Sequence, residues 1–397
     1  MNAGRGRPED LLARRGGAVE LLWAPALLLG GLTALRNRLY DRGWLPSERV
    51  PVPVVGVGNL SAGGTGKTPM VAWLARWFEA RGLRPGIASR GYRRHRRTRA
   101  AGGPPPPGEG GEGGEGGEGD EARLLRRIAP GVPHERDPRR AAAARRLAGE
   151  HGVDVVILDD GFQHRRLARD LDLVLVDALR PWGLPAPPGG GEPVRAPLPR
   201  GLLRESPAGL RRAGAAVVTR SDQVAAAELE ALEAELAELA PGLPVARAVH
   251  RPVGLRGPDG RPRHPGWLRG REVELVSAVG NPAAFEATVR SLGAVVRAHH
   301  RFPDHHEYVD SDRRRLGQDG HPVITTAKDA VKLEGGSPAG SARPGGPGVV
   351  GGPGELLVLE VELELTSGRP VIEALLGALP AGEGRTLRRS YHEGLHG

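Results

Sequence analysis

The chain has 397 residues, with 61 Gly, 37 Pro, no Cys and only 4 Phe, 4 Tyr and 2 Met. Lys and Arg number 56 against 47 Asp and Glu, a net charge of +9 at pH 7. The lack of cysteine excludes a disulfide scaffold, a thiolate zinc site and thiol catalysis. With 39% apolar residues the chain can build real cores, and its length suits two domains.

The positive charge is almost all arginine. Lys occurs only at 67, 328 and 332, and Asn only at 2, 37, 59 and 281. A chain that has drifted toward Gly, Ala, Pro and Arg supplies bulk surface charge as Arg. A surviving Lys or Asn then marks a position where Arg or Ser would not serve. The same drift weakens the basic balance as a sign of nucleic-acid binding. The basic residues are spread along the chain and no aromatic-rich binding motif accompanies them, so no nucleic-acid partner is predicted.

The first 18 residues are polar and Arg-rich. Residues 21–35 carry no charge, and Arg14, Arg15, Arg36, Arg38 and Arg42 flank them. This stretch is shorter than the roughly 20 residues that span a bilayer, and it lacks the small-residue cleavage site of a signal peptide. It reads either as an interfacial helix with basic flanks, lying on an anionic leaflet, or as an ordinary core helix. Strands are predicted at 52–57, 83–88, 153–158, 171–176 and 215–219, and helices at 68–80, 137–149 and 223–239. A basic loop covers 90–99. Residues 102–119, PPPP followed by repeated Glu-Gly-Gly, form a low-complexity insert that cannot pack. The Pro- and Gly-rich stretch 247–267 reads as an interdomain connection. Beyond it come strands at 272–278, 321–325 and 356–365, a helix at 283–292 and a second insert at 335–354.

This alternation implies an α/β fold, a mostly parallel sheet flanked by helices followed by a second, smaller α/β domain, and the phosphate-binding loop at residues 63–68 makes it P-loop NTPase-like. The expected divisions are an N-terminal segment at 1–45, membrane-associating on the interfacial reading, a P-loop domain at 46–246, the connection at 247–267 and the smaller domain at 268–397.

Gly63-Gly64-Thr65-Gly66-Lys67-Thr68 follows a predicted strand and opens a predicted helix, the context a phosphate-binding loop requires. Its glycines let backbone N–H groups of Ser61 to Thr68 wrap phosphates, and the helix N-terminus adds its dipole. Ser61 stands where the motif usually has its first Gly, and Ala62 precedes the Gly pair. Lys67 can reach the β- and γ-phosphates and Thr68 can ligate Mg²⁺. The apolar run 155–158 ends in Asp159 and Asp160. That places carboxylates at a strand's C-terminal edge, beside the loop, where one can hold Mg²⁺ directly or through water.

Further segments stand out along the chain: Val57-Gly58-Asn59-Leu60 with residues 63–69, Ser89-Arg90-Gly91-Tyr92, Gly119-Asp120-Glu121, Asp159-Asp160-Gly161-Phe162-Gln163-His164 and Leu203-Arg204-Glu205. The second half adds Gly280-Asn281-Pro282, Phe302-Pro303-Asp304-His305-His306 and residues 326–332, TAKDAVK. Together and in this order these segments resemble one family, the tetraacyldisaccharide 4′-kinases of lipid A synthesis. All three lysines fall in these segments. Arg200 departs from the pattern, standing where a small residue is usual in the turn before Leu203-Arg204-Glu205.

The resemblance implies ATP- and Mg²⁺-dependent phosphorylation of the 4′-hydroxyl of a tetraacylated disaccharide 1-phosphate, a glycolipid met at the cytoplasmic face of the inner membrane. It implies an aspartate–histidine pair that accepts the hydroxyl proton, and by motif these are Asp120 and His305, one in each predicted domain. Lys67, Arg204 and Glu205 join them as catalytic candidates, with Arg90 a helper on phosphate or sugar. Lys328 and Lys332, four apart on a helix, receive no role. The rival reading is a membrane-associated P-loop ATPase that acts as a switch without a lipid acceptor. Ala62 counts against it, because such proteins carry Lys at that place.

Overall fold

The computed structural model describes residues 8–90, 120–187, 190–258, 260–304, 306–334 and 353–379. The inserts expected at 102–119 and 335–354 lie outside these residues, apart from 353 and 354, and so does the arginine run at 93–99. The strands are β1 (Val54–Asn59), β2 (Pro85–Ser89), β3 (His134–Arg136), β4 (Val155–Asp159), β5 (Leu171–Asp177), β6 (Ala215–Thr219), β7 (Val245–Arg256), β8 (Pro262–Arg263), β9 (Glu272–Ser277), β10 (Val295–Arg301), β11 (Val323–Thr326) and β12 (Leu356–Ser367). The helices are α1 (Pro8–Ala13), α2 (Trp23–Asp41), α3 (Lys67–Glu79), α4 (Asp120–Ile128), α5 (Arg140–Gly149), α6 (Ala226–Leu239), α7 (Pro282–Ser291), α8 (Asp310–Arg313), α9 (Ala327–Glu334) and α10 (Arg369–Gly377).

The strands join one sheet in the order β10-β9-β11-β12-β7-β6-β5-β1-β4-β2-β3, with β8 paired to β7. The pairings of β7 with β12 and with β8 are antiparallel; the others are parallel. This is the α/β class read from the sequence. Parallel strands are buried on both faces, which is why β1, β4, β5 and β6 are apolar almost throughout. On one face α3 packs Met70, Val71, Leu74 and Phe78 against Val55, Val57 and Ile157. On the other, α6 packs Leu229, Leu232 and Leu236 against Val174, Val176 and Val218. Each such burial stabilises the fold by about 1.5–3 kcal/mol. The strand β1 lies between β4 and β5, and in open α/β sheets ligands bind at the carboxyl ends of strands where the order reverses.

Residues 247–267 are not a free connection. β7 runs through the first ten of them and pairs with β6 on one side and β12 on the other, so one sheet continues through both halves of the chain. Pro252 and Gly254 hide this strand in the sequence. The register against β12 shifts where Pro252 meets Val361, the kind of irregularity at which a strand tolerates proline. The edge strand β10 also escapes sequence reading, because Arg297, His299, His300 and Arg301 dilute its apolar pattern.

The N-terminal apolar stretch is helical from Gly17 to Asp41, a 3-10 turn at Gly17–Leu22 leading into α2. At 25 residues it is long and apolar enough to cross a membrane, by length and composition. This corrects the shorter estimate from residues 21–35: the helix continues through the polar residues Arg36 to Asp41. The core-helix reading is excluded, because Leu27, Leu28, Leu32 and Leu35 are 63%, 65%, 54% and 53% exposed and only Ala26 of α2 is buried.

Arg200, the departure from the family pattern, tethers this segment. Its side chain is 1% exposed and donates to the carbonyls of Leu12 (2.6 Å) and Arg14 (3.0 Å) and to Glu20 Oε1 (3.0 Å). Loss of such buried bonds to a charged donor costs about 1.5–3 kcal/mol. Arg200→Ala should therefore free the segment locally. Amide hydrogen exchange over residues 11–20 is expected to speed up about tenfold or more, with the β1 amides unchanged. Equal protection in the two proteins would show that the tether is not needed.

Candidate active site

The site is built at the carboxyl end of β1. The last residue of β1, Asn59, is fully buried, and the chain then turns through Ser61 and Ala62, which bond to the segment carrying Arg204. Ser61 forms an antiparallel bridge with Leu203, and the Ala62 N–H donates to the Leu202 carbonyl at 2.7 Å. Gly63, Gly64 and Thr65 follow, and α3 begins at Lys67 with Gly66 as its N-cap at φ 91°. A side chain at Gly66 would be strained at that φ, and its Cβ would lie 2.6 Å from His250 Nε2. Burial, and then the Arg220 charge, drive the His250 pKa down to about 3, so a neutral ring lies under the loop. The loop's carbonyls are held from below: Thr219 Oγ1 donates to Thr65 O at 3.0 Å and Arg220 Nη2 to Gly64 O at 2.7 Å. Its N–H groups and the start of α3, with Thr68 in the first turn, form an anion-binding concavity.

Two carboxylates stand beside it, as the sequence predicts. Asp159 ends β4 and pairs in register with Val57 of β1; it is 2% exposed. Asp160 follows at φ 53°, a conformation uncommon for a residue with a side chain. That turn aims its carboxylate at two cations: Asp160 Oδ1 lies 3.3 Å from Lys67 Nζ and 2.6 Å from Arg204 Nη1. Burial acts to raise the Asp160 pKa, but Lys67 and Arg204 outweigh it and hold the carboxyl below its ordinary value. Lys67 Nζ also donates to Asn59 Oδ1 at 3.1 Å, so the lysine is fixed between an amide and a carboxylate.

Glu205 is placed differently from the expectation. It is 3% exposed, and Asn37, Gln163 and Arg212 engage its carboxylate at 2.8, 2.9 and 2.9 Å. It faces the packing beneath the loop rather than open solvent, because Ser206 to Arg212 fold back over it. Its geometry is that of a positioning residue, whereas Arg204 reaches the crevice.

The second half of the chain closes on the same loop. A Cβ on Gly280 would lie 2.6 Å from the Gly64 nitrogen, so only glycine permits this approach. The next residue, Asn281, caps α7 by accepting from the Ala284 N–H at 3.2 Å and donates to Asp177 Oδ2 at 3.3 Å. Asp177 in turn pairs with Arg220 at 2.6 Å. Lys328 and Lys332 point from α9 to the segment 302–308: Lys328 Nζ bonds Asp304 Oδ1 at 2.7 Å and Lys332 Nζ the His306 carbonyl at 3.2 Å. His306 stacks on Phe302 and bonds Asp312 at 2.8 Å, so it is committed to holding this loop. His305 lies outside the described residues. Asp120 is the first residue of α4, with its side chain outside the description, and α4 packs against α9.

A family model described as Tetraacyldisaccharide-1-P 4′-kinase matches residues 18–379. The chain belongs to this family. A tetraacyldisaccharide 4′-kinase of Anaeromyxobacter dehalogenans (strain 2CP-C) is 41% identical over 380 residues, 94% of this chain and 93% of that protein. One of Alkalilimnicola ehrlichii is 43% identical over 317 residues, covering 80% and 84%. The crystal structure of "apo" form LpxK from Aquifex aeolicus in complex with ATP matches with a TM-score of 0.64 at 28% identity, over 91% of this chain and 98% of that one. The chain is thus a kinase of lipid A biosynthesis, a phosphotransferase acting on an alcohol, and the reading as an ATPase switch is not favoured.

In this 4′-kinase, sequence reading found the loop, the paired acids and Arg204 but missed their supports. Asn37, Asp177, Arg220 and His250 all contact the loop or its neighbours. The rarity of Asn was the available signal for Asn37, one of four in the chain. Nothing comparable singles out Arg220 among so many arginines.

Proposed function

We propose that this 4′-kinase binds ATP on the loop from Ser61 to Thr68 and transfers its γ-phosphate to the 4′-hydroxyl of tetraacyldisaccharide 1-phosphate at the cytoplasmic face of the inner membrane. The observation that carries this reading is Lys67, held between Asn59 and Asp160 at the first residue of α3, with Arg204 on the same carboxylate. The crystal structure of the Aquifex aeolicus LpxK in complex with ATP supports the choice of nucleotide.

Phosphoryl transfer is mostly positioning and charge neutralisation. The loop amides and Lys67 hold the β- and γ-phosphates, and Arg204 faces the transferring group. The donor set suits Mg²⁺: the Thr68 hydroxyl and the Asp159 and Asp160 carboxylates are hard oxygens. Among the described residues no group of three or more His, Cys, Asp or Glu side chains offers a dedicated cage. That matches an ion held by one or two carboxylates plus phosphate oxygens. When bound, Mg²⁺ neutralises charge on the β- and γ-phosphate oxygens. The 4′-oxygen bonds to the γ-phosphorus, the bond from that phosphorus to the bridging oxygen breaks, and ADP leaves with the electron pair. Asp120 and His305 take the hydroxyl proton. They belong to the two lobes expected from the sequence, 46–246 and 268–397, which meet over Gly64 and Gly280. The exposed apolar helix docks the enzyme where its glycolipid substrate resides.

The test is transfer of labelled γ-phosphate from ATP to tetraacyldisaccharide 1-phosphate in mixed micelles. A labelled bisphosphorylated lipid that depends on both substrates is expected. ATP hydrolysis indifferent to the acceptor would overturn the reading in favour of a switch.

A further inference from the structure

We propose that Asn37 is a positioning residue for the phosphate loop, tying the seat of α2 to the placement of Lys67; this rests on the reading of Lys67 as a phosphate ligand. The exposed apolar part of α2 ends at Leu35, and its polar last turns lie on the loop after β4. Arg165 Nη1 donates to the Asn37 carbonyl at 2.9 Å and to Asp41 Oδ1 at 2.6 Å, and Arg36 donates to the Gln163 carbonyl. From there a continuous chain of hydrogen bonds runs inward. Asn37 Nδ2 donates to Glu205 Oε2 at 2.8 Å. The other carboxylate oxygen accepts from Gln163 Nε2 at 2.9 Å, and the same Nε2 reaches the Asn59 carbonyl at 2.9 Å. Asn59 Oδ1 then accepts from Lys67 Nζ at 3.1 Å.

Glu205 and Asn59 are 3% and 0% exposed, so water cannot simply replace a lost partner, and a break in one bond passes to the next. The carboxylate of Glu205 requires donors on all sides. An amide at 37 supplies one without adding charge, whereas a carboxylate there would repel it. The helix that meets the lipid surface and the lysine that meets ATP are in this way parts of one hydrogen-bonded unit. Movement of α2 shifts the phosphate site, although the two are in different layers of the fold.

The test uses the full-length enzyme in mixed micelles with tetraacyldisaccharide 1-phosphate. Asn37→Asp is expected to raise the KM for ATP about tenfold while kcat changes much less. Adding Glu205→Gln to that variant is expected to recover most of the loss, because exchanging amide and carboxylate restores the bond in the opposite sense. Melting temperature and co-sedimentation with vesicles report on folding and membrane residence. Should Asn37→Asp melt early, Asn37→Ala reads the same bond by deletion, with a smaller rise in KM. An ATP KM within about twofold of the parent in the folded variant, or no recovery in the double variant, overturns the proposal. Lys67→Ala separates the two readings. Retained transfer in that variant overturns the phosphate-loop role itself; lost transfer beside an unaffected Asn37 variant overturns only the coupling.

Discussion

Lys67→Ala should all but abolish transfer to the glycolipid, lowering kcat/KM by at least about 10³-fold. The lysine is the only one of three in the chain that stands at the phosphate loop, and it faces Asp160 at 3.3 Å and Asn59 at 3.1 Å. Its removal takes away a positive charge that would neutralise the transferring γ-phosphate. It also leaves the Asp160 carboxylate with Arg204 alone, at the very place where phosphate must approach. Lys67→Arg should be nearly as damaging, because a planar fork cannot replace a point charge in that narrow space. Steady-state kinetics with labelled ATP give the answer, and a variant that keeps a tenth of parental turnover or more would remove Lys67 from the proposed role.

Asp120→Ala and His305→Ala should each lower kcat by about 10²–10⁴-fold and leave the ATP affinity close to that of the parent. A sugar hydroxyl is a weak nucleophile, so the cost of losing its proton acceptor appears in turnover and not in nucleotide binding. The pair is proposed from the motif resemblance, and the described elements beside the two residues are near one another. Asp120 opens α4, and α4 packs on α9, whose Lys328 holds Asp304, the neighbour of residue 305, at 2.7 Å. Isothermal titration with ATP and single-turnover transfer, measured on the same preparations, separate the two effects. If either variant turns over normally, the motif match fails at that residue. A variant that loses ATP binding instead would place the residue at the nucleotide.

The α/β class, the position of the loop and the acids beside it were legible in the sequence for a physical reason. A phosphate loop needs glycines and a lysine at fixed spacing between a strand and a helix, and a buried parallel strand must be apolar along its length. Asn59 and Lys67, or Val155 to Asp160, state their surroundings within a few residues. The survival of Lys and Asn against a background of Arg and Gly sharpened this further. It singled out Asn59, Lys67 and Asn281, which the structure places at or beside the loop, and Lys328 and Lys332 without saying what they do.

Other features have no local signature. β7 is interrupted by Pro252 and Gly254 and reads as a connection until β12 is found beside it. Whether the apolar helix at 17–41 lies in the core or on the outside depends on what packs over it, and almost nothing does. Arg200 stood out in the sequence only as a departure in a turn, and its three acceptors in Leu12, Arg14 and Glu20 appear only in the structure. Glu205, a catalytic candidate from its motif, is found buried among Asn37, Gln163 and Arg212. Asn37 and Glu205 are 168 positions apart. What the sequence by itself determined is therefore the chemistry of each motif, set by backbone spacing and side-chain type. Only the tertiary structure decided which motifs touch, because strand order in the sheet, and not distance along the chain, chooses the neighbours of a buried polar group.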